Sequence, residues 1–232
     1  MKETRLATVL RWLVVILLPF FLTASTALLI IAWDWPSYPR FEYPRIAPDR
    51  YGFAQEERVE LAEATLAYLR RPEPSEDVIY MLEELRLPGT DEPLYNDREI
   101  GHMIDVKDVT DAFKWVFRIL GLVVIGGVVF LLSSEDRRRE GYRALHHGGV
   151  LVGAIVVAMI VLIFVAWNTV FTQFHELLFP PGSWTFAFSD SLIRLFPEQF
   201  WFDFGVIWAG AILLQGLLLG VIGYYLLRRD GK

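Results

Sequence analysis

Four separate runs of apolar residues decide what this chain can fold into. They are residues 12–33 (WLVVILLPFFLTASTALLIIAW), 115–132 (WVFRILGLVVIGGVVFLL, with Arg118 its one charge), 148–167 and 204–227. Each is close to the roughly 20 residues that a helix needs to cross about 30 Å of hydrocarbon. Together they raise the hydrophobic fraction of the 232 residues to 54%, more than a soluble domain needs. The expected fold class is an all-α membrane protein: four transmembrane helices with a small helical extracytoplasmic cap.

Charge sets the orientation. Lys2, Arg5 and Arg11 precede or open the first run, Arg137, Arg138, Arg139 and Arg143 stand between the second and third, and Arg228, Arg229 and Lys232 follow the fourth. Alternating crossings bring the three clusters to one side, which the positive-inside rule makes cytoplasmic. Both termini are then cytoplasmic. Segment 34–112, with 19 acidic and 9 basic residues, lies outside and carries most of the net charge of −6. Trp33, Trp35, Trp115, Trp184 and Trp201 stand near the outer helix ends, as an interfacial aromatic belt does. The first run exceeds the 7–15 apolar residues of a cleaved signal peptide and lacks a small-x-small cleavage site, so it reads as a retained helix.

The expected organisation is an N-terminal segment with helix one (1–33), an extracytoplasmic cap (34–112), and helices two and three with a basic loop (113–170). An interfacial loop (171–203) and helix four with its tail (204–232) complete it. In the cap, the proline-punctuated WDWPSYPRFEYPRIAP should be extended, because proline disfavours a helical residue before it. Val59, Ala62, Leu66 and Leu69 are spaced for one helix face over 55–70. A second short helix should run from a Ser75 cap to Leu85, with Val78, Ile79, Leu82 and Leu85 inward, before Pro88-Gly89 breaks the chain. Two such helices packed on the bundle are too small to be an independent domain. The acidic outer face argues against nucleic acid as a partner.

With no cysteine, thiol catalysis and thiolate metal sites are excluded. Chemistry falls to four histidines. His146 and His147 adjoin the basic loop and read as solvated interfacial residues. His102 and His175 are placed differently, at the outer ends of helices two and three, each among polar residues. In LYNDREIGHMIDVKDV, Asp105 follows His102 by three residues. On a helix the two share a face, where a carboxylate can fix the imidazole tautomer. The bland alternative is a helix N-terminus rich in acid because of its dipole. After His175, HELLF lacks the second histidine of H-E-x-x-H, so no zinc-protease signature is present and no metal or cofactor is expected. Asp190 and Arg194 have the i,i+4 spacing of an ion pair. The aromatic stretch around them should lie in the interface, as the floor of a site for a lipid-bearing substrate.

LYNDREIGHMIDVK (94–107) and FTQFHELLF…W…SDSLIRLFPEQFW (171–201), set among four transmembrane helices in this order, resemble the bacterial lipoprotein intramolecular transacylase (Lit) family. The resemblance implies an enzyme of the bacterial cytoplasmic membrane acting on diacylated lipoproteins among membrane lipids. Such enzymes move the sn-2 acyl chain of a diacylglyceryl-cysteine to that cysteine's α-amine, giving the lyso-form lipoprotein. By motif position the family's two essential histidines fall on His102 and His175. The chemistry suits them: an α-amine of pKa about 8 must lose a proton to attack, and imidazoles near about 6.5 can accept and return one. The reading makes His175 the base and His102 the acid or electrostatic partner. Asp105 and Glu176 would orient them, Tyr95 and Asn96 would stabilise the oxyanion, and Trp184, Asp190, Arg194 and Trp201 would bind substrate. The acid and base should lie within about 8 Å of each other to flank one ester. The alternative from another class is a non-catalytic lipid- or lipoprotein-binding membrane protein.

Overall fold

The computed structural model describes residues 2–33 and 36–230, with side chains from residue 5 onward; Trp35 and Lys232, and the side chain of Lys2, lie outside it. Nine helices are found among those residues: α1 (Lys2–Ala32), α2 (Tyr38–Glu42), α3 (Gln55–Arg70), α4 (Ser75–Val78), α5 (Tyr80–Glu83), α6 (Asp97–Leu132), α7 (Glu135–Leu178), α8 (Ser191–Leu195) and α9 (Glu198–Asp230). The long helices α1, α6, α7 and α9 are the four that are apolar and long enough to cross a membrane. The chain is thus an all-α integral membrane protein. Two compact units divide it: Met1–Leu28, Phe113–Val165 and Val206–Lys232 in one, Leu29–Ala112 and Ala166–Gly205 in the other.

The first unit packs helices through small residues. A Cβ on Gly149 would overlap the backbone of Gly216 and Gly220, and one on Gly223 would overlap that of Tyr142 and His146. Helices α7 and α9 therefore approach to backbone contact, the arrangement favoured where lipid removes the hydrophobic drive between helices. Large apolar residues such as Leu122 stay exposed in this unit, as a hydrocarbon solvent permits. Polar ties fix the register: Trp208 Nε1 donates to the Thr23 carbonyl at 3.1 Å, and Gln215 Nε2 to Thr26 Oγ1 at 3.0 Å. Arg11 pairs with Glu140 at 2.8 Å, and Arg138 with Asp230 at 2.8 Å. Only two residues separate α6 from α7, so Arg137, Arg138, Arg139 and Arg143 lie on the first turns of α7 rather than in a loop. His146 corrects the reading of a solvated residue. Its Nδ1 bonds the Gly220 carbonyl at 3.0 Å, because the glycine seam brings that carbonyl within reach. His147 is exposed and stacks at 6.2 Å on Trp12.

The second unit has its own core, built on Tyr43, Tyr68, Ala62, Leu82, Leu195 and Phe200. Helix α3 forms as the periodicity predicts, with Val59, Ala62 and Leu69 buried. The expected helix from Ser75 to Leu85 is instead two four-residue helices, α4 and α5, that still bury Val78 and Leu82. The proline-rich run departs from expectation too. Residues 38–42 are helical because the Ser37 side chain accepts from Arg40 N, and a proline in the first turn gives up no intrahelical bond. The start of α6 is tied into this core. Lys107 Nζ, fully buried, donates to the Glu73 carbonyl at 2.8 Å, and Ser75 Oγ donates to Asp108 at 2.8 Å. Tyr68 Oη also reaches the Met103 carbonyl at 3.3 Å, beside His102.

Candidate active site

Two of the sequence-derived candidates meet around one aromatic ring. His102, in the second turn of α6, packs edge-on against Phe179 with ring centroids 4.9 Å apart. His175, in the last turn of α7, lies 5.6 Å from the same ring. Their separation therefore cannot exceed the sum of those two distances. The rest of the surround is aromatic as well: Phe186 is 5.4 Å from His102, and Phe171 and Trp184 are 4.1 and 5.0 Å from His175. Phe171, His175 and Phe179 recur every four residues, so one helical face carries all three. That i,i+4 spacing is legible in the sequence.

Helix α7 reaches this position through a break. Ala166 has non-helical angles (φ −139°, ψ 37°), and the turns after it belong to the second unit. His175 consequently lies inside a helix rather than in a loop that follows one. Its Nδ1 is 2.7 Å from the Phe171 carbonyl. A carbonyl only accepts, so Nδ1 carries the hydrogen and the neutral ring keeps its lone pair on Nε2. Backbone, not Glu176, orients this imidazole. The Glu176 carboxylate instead accepts from Gln173 Nε2 at 2.8 Å, on the exposed side.

His102 is buried, and its Nδ1 has no hydrogen-bond partner. Asp105 is therefore not the carboxylate that fixes its tautomer. The two do share a face of α6, but Asp105 faces Ser183 and its neighbour Asp108. The turn carrying His102 is held by Glu99 one turn earlier. That carboxylate, 1% exposed, accepts from Asn96 N at 2.8 Å and from Leu192 N, at the start of α8, at 2.7 Å. Asn96 Oδ1 in return accepts from Arg98 N at 3.0 Å and Glu99 N at 3.1 Å. Asn96 and Glu99 form a reciprocal capping box. Its N-x-x-E signal stands plainly in the sequence. Asn96 is thereby a helix cap rather than an oxyanion donor.

Other candidates are also engaged elsewhere. Tyr95 shares a 2.6 Å hydrogen bond with Thr65 in the core, and burial pushes its phenol well above the usual range. Asp190 and Arg194 do not pair. Asp190 accepts from Ala187 N at 2.9 Å, closing the loop before α8. Arg194 reaches Asp49 at 2.9 Å and covers the Phe53 ring at 3.5 Å. Burial alone would raise the Asp49 carboxyl, but the bonds from Arg194 and from Phe53 N outweigh it and hold its pKa below the ordinary value. Trp201 packs with Phe196, Phe200 and Phe204, away from the histidines' ring contacts. Trp184 alone of the four substrate-binding candidates touches a histidine. Arg98 was not foreseen; its guanidinium lies 5.5 Å over Phe186 and donates to the Thr185 carbonyl. Among the described residues no three histidine or carboxylate side chains gather as a metal site.

A family model described as lipoprotein intramolecular transacylase Lit matches residues 12–201. The chain belongs to the Lit family. That membership makes it an integral membrane transacylase. A relative from Aquifex aeolicus (strain VF5), described as an uncharacterized protein, is 31% identical over 204 residues, covering 87% of this chain and 86% of its own. The in meso structure of the membrane integral lipoprotein intramolecular transacylase Lit from Bacillus cereus shares the fold, with a TM-score of 0.72. It is 23% identical, over 99% of this chain and 96% of that one. A form of that protein with one histidine replaced by arginine superposes with a TM-score of 0.68 at 22% identity, over 99% and 93% of the two chains.

Proposed function

We propose that the chain moves the sn-2 acyl chain of a diacylglyceryl-cysteine lipoprotein to the α-amine of the same cysteine, at the outer face of the bacterial cytoplasmic membrane. The reading rests on one observation above the others: two imidazoles flank Phe179, and His175 is held with Nε2 free to take a proton. His175 is the base. The amine attacks the ester carbon, a C–N bond forms, and the carbonyl electron pair moves onto oxygen. One amine proton goes to His175 Nε2. Collapse of the intermediate breaks the bond to glycerol, and the proton held by His175 passes by way of His102 to the departing glycerol oxygen, which leaves both imidazoles as they began. Amine and ester belong to one molecule, so positioning supplies much of the acceleration. Phe171, Phe179, Phe186 and Trp184 suit acyl chains and exclude water, and the charge pattern supports cytoplasmic termini.

Replacing His102 or His175 by Asn tests the roles. The purified variants, presented with diacylated lipoprotein in detergent, should leave the cysteine amine unacylated while keeping wild-type thermal stability. Full turnover by either folded variant removes that histidine from the mechanism, whereas a wild-type protein that leaves the cysteine amine unacylated favours a binding protein.

A further inference from the structure

Tyr95 and Asn96 are both committed elsewhere, so the oxyanion that an acyl transfer must pass through lacks the donors the sequence suggested. The side chain beside His175 supplies one. Trp184 lies with its ring 5.0 Å from the His175 ring, and its Nε1 is buried without an acceptor. An indole N–H can only donate, and leaving one buried and unmet destabilises the folded chain. Such a group in an acyl-transfer site fits a partner that arrives with the substrate. Trp167 also has an unmet Nε1, but its ring packs on Phe171 and Phe202 and touches neither histidine.

We propose that the Nε1–H of Trp184 donates to the carbonyl oxygen of the transferred ester and strengthens that bond as the oxygen becomes an oxyanion. This deepens the transacylase reading and rests on it. In the attack step the new C–N bond places the carbonyl electron pair on an oxygen that the indole meets with a fixed donor. In the collapse step the pair returns and the glycerol C–O bond breaks. Trp184 neither gains nor loses a proton. The indole, tilted against the His175 ring, brings the donor near the base, where the tetrahedral carbon has to stand for His175 to reach the amine.

The test compares wild type with Trp184→Phe, and with 3-benzothienylalanine at 184, which keeps the indole's shape and replaces N–H by sulfur. Both are assayed on diacylated lipoprotein. Removing one preorganised donor lowers kcat by about 100-fold or more, with KM and the shape of the pH–rate profile unchanged. A purely structural role predicts the opposite division: the benzothienyl variant works normally and only the smaller ring is impaired. Normal kcat in the benzothienyl variant, or a loss confined to KM, overturns the proposal. A wild-type protein that transfers no acyl chain overturns the parent reading, and this one with it.

Discussion

Glu99 is the residue whose loss should cost this protein most outside the histidines. Its buried carboxylate ties the His102 turn of α6 to the start of α8, through Leu192 N. Replacement by Ala leaves two backbone donors, Leu192 N and Asn96 N, without their acceptor. At about 1–3 kcal/mol for the buried Leu192 N, with Asn96 N at the exposed helix start open to water, the expected loss is about 1–3 kcal/mol. At about 2–4 °C per kcal/mol for a chain of this length, Tm in detergent should fall by at least about 2 °C. Replacement by Gln keeps one carbonyl oxygen but sets an NH2 group against the other donor, so Glu99→Gln should fall between wild type and Glu99→Ala. Turnover should drop by about tenfold or more in Glu99→Ala, because the aromatic segment between α7 and α8 loses an anchor and small displacements are expensive in an acyl transfer. Thermal unfolding followed by tryptophan fluorescence, with a parallel acylation assay, reads both effects. Glu99→Ala with a Tm within about 1 °C of wild type and unchanged turnover would refute the reasoning.

Glu42 offers a pH test. Burial, reinforced by the neighbouring Asp203 carboxyl, raises its pKa to about 7. A carboxyl raised in the folded state stabilises most below its unfolded pKa of about 4.3, and that stability is lost as pH rises through about 7. Glu42→Gln should therefore raise Tm at pH 8 relative to wild type and change it little at pH 4; an equal shift at both would contradict the assignment. Asp49 has the opposite sign. Its depressed pKa gives stability above about pH 3.9 that disappears on further acidification, and Asp49→Asn should abolish that acid dependence while lowering Tm at neutral pH. Activity should survive chelators, since no metal enters the proposed mechanism; loss restored by zinc would replace it with metal-assisted chemistry. Impermeant probes should label residues 60 and 187 and spare residue 140 in intact cells, and labelling at 140 would invert the membrane orientation.

The four long helices were legible because an uninterrupted apolar run of about 20 residues has few other outcomes. The histidines were legible because polar residues clustered at the ends of two such runs. What the sequence concealed is local. The Ala166 break has no proline or glycine at its position to mark it, so His175 read as a loop residue instead of the end of a helix. Asp105 looked like the partner of His102 from spacing alone, yet i,i+3 neighbours share a face without having to touch. Asp190 and Arg194 failed to pair for a tertiary reason: Asp49, 145 positions away from Arg194, took the guanidinium. Conversely the Asn96–Glu99 capping box is written in the sequence as N-x-x-E, and the same Asn96 that looks available to an oxyanion is committed to it. Trp184 was picked out as a substrate contact, and only the structure reveals that its N–H is buried and unmet.

The proposed reaction is an acyl shift within one lipoprotein molecule. The direct measurement is a crossover experiment. Two diacylated lipoproteins, one with isotopically heavy acyl chains and one with light, and with distinguishable N-terminal peptides, are mixed with the purified protein. Tandem mass spectrometry then locates the chains. The account predicts that each peptide gains an acyl group on its cysteine amine, loses one glycerol ester, keeps its total mass, and carries only its own isotope. Unchanged N-terminal spectra would contradict the transacylase reading, and heavy chains on the light peptide would contradict transfer within one molecule.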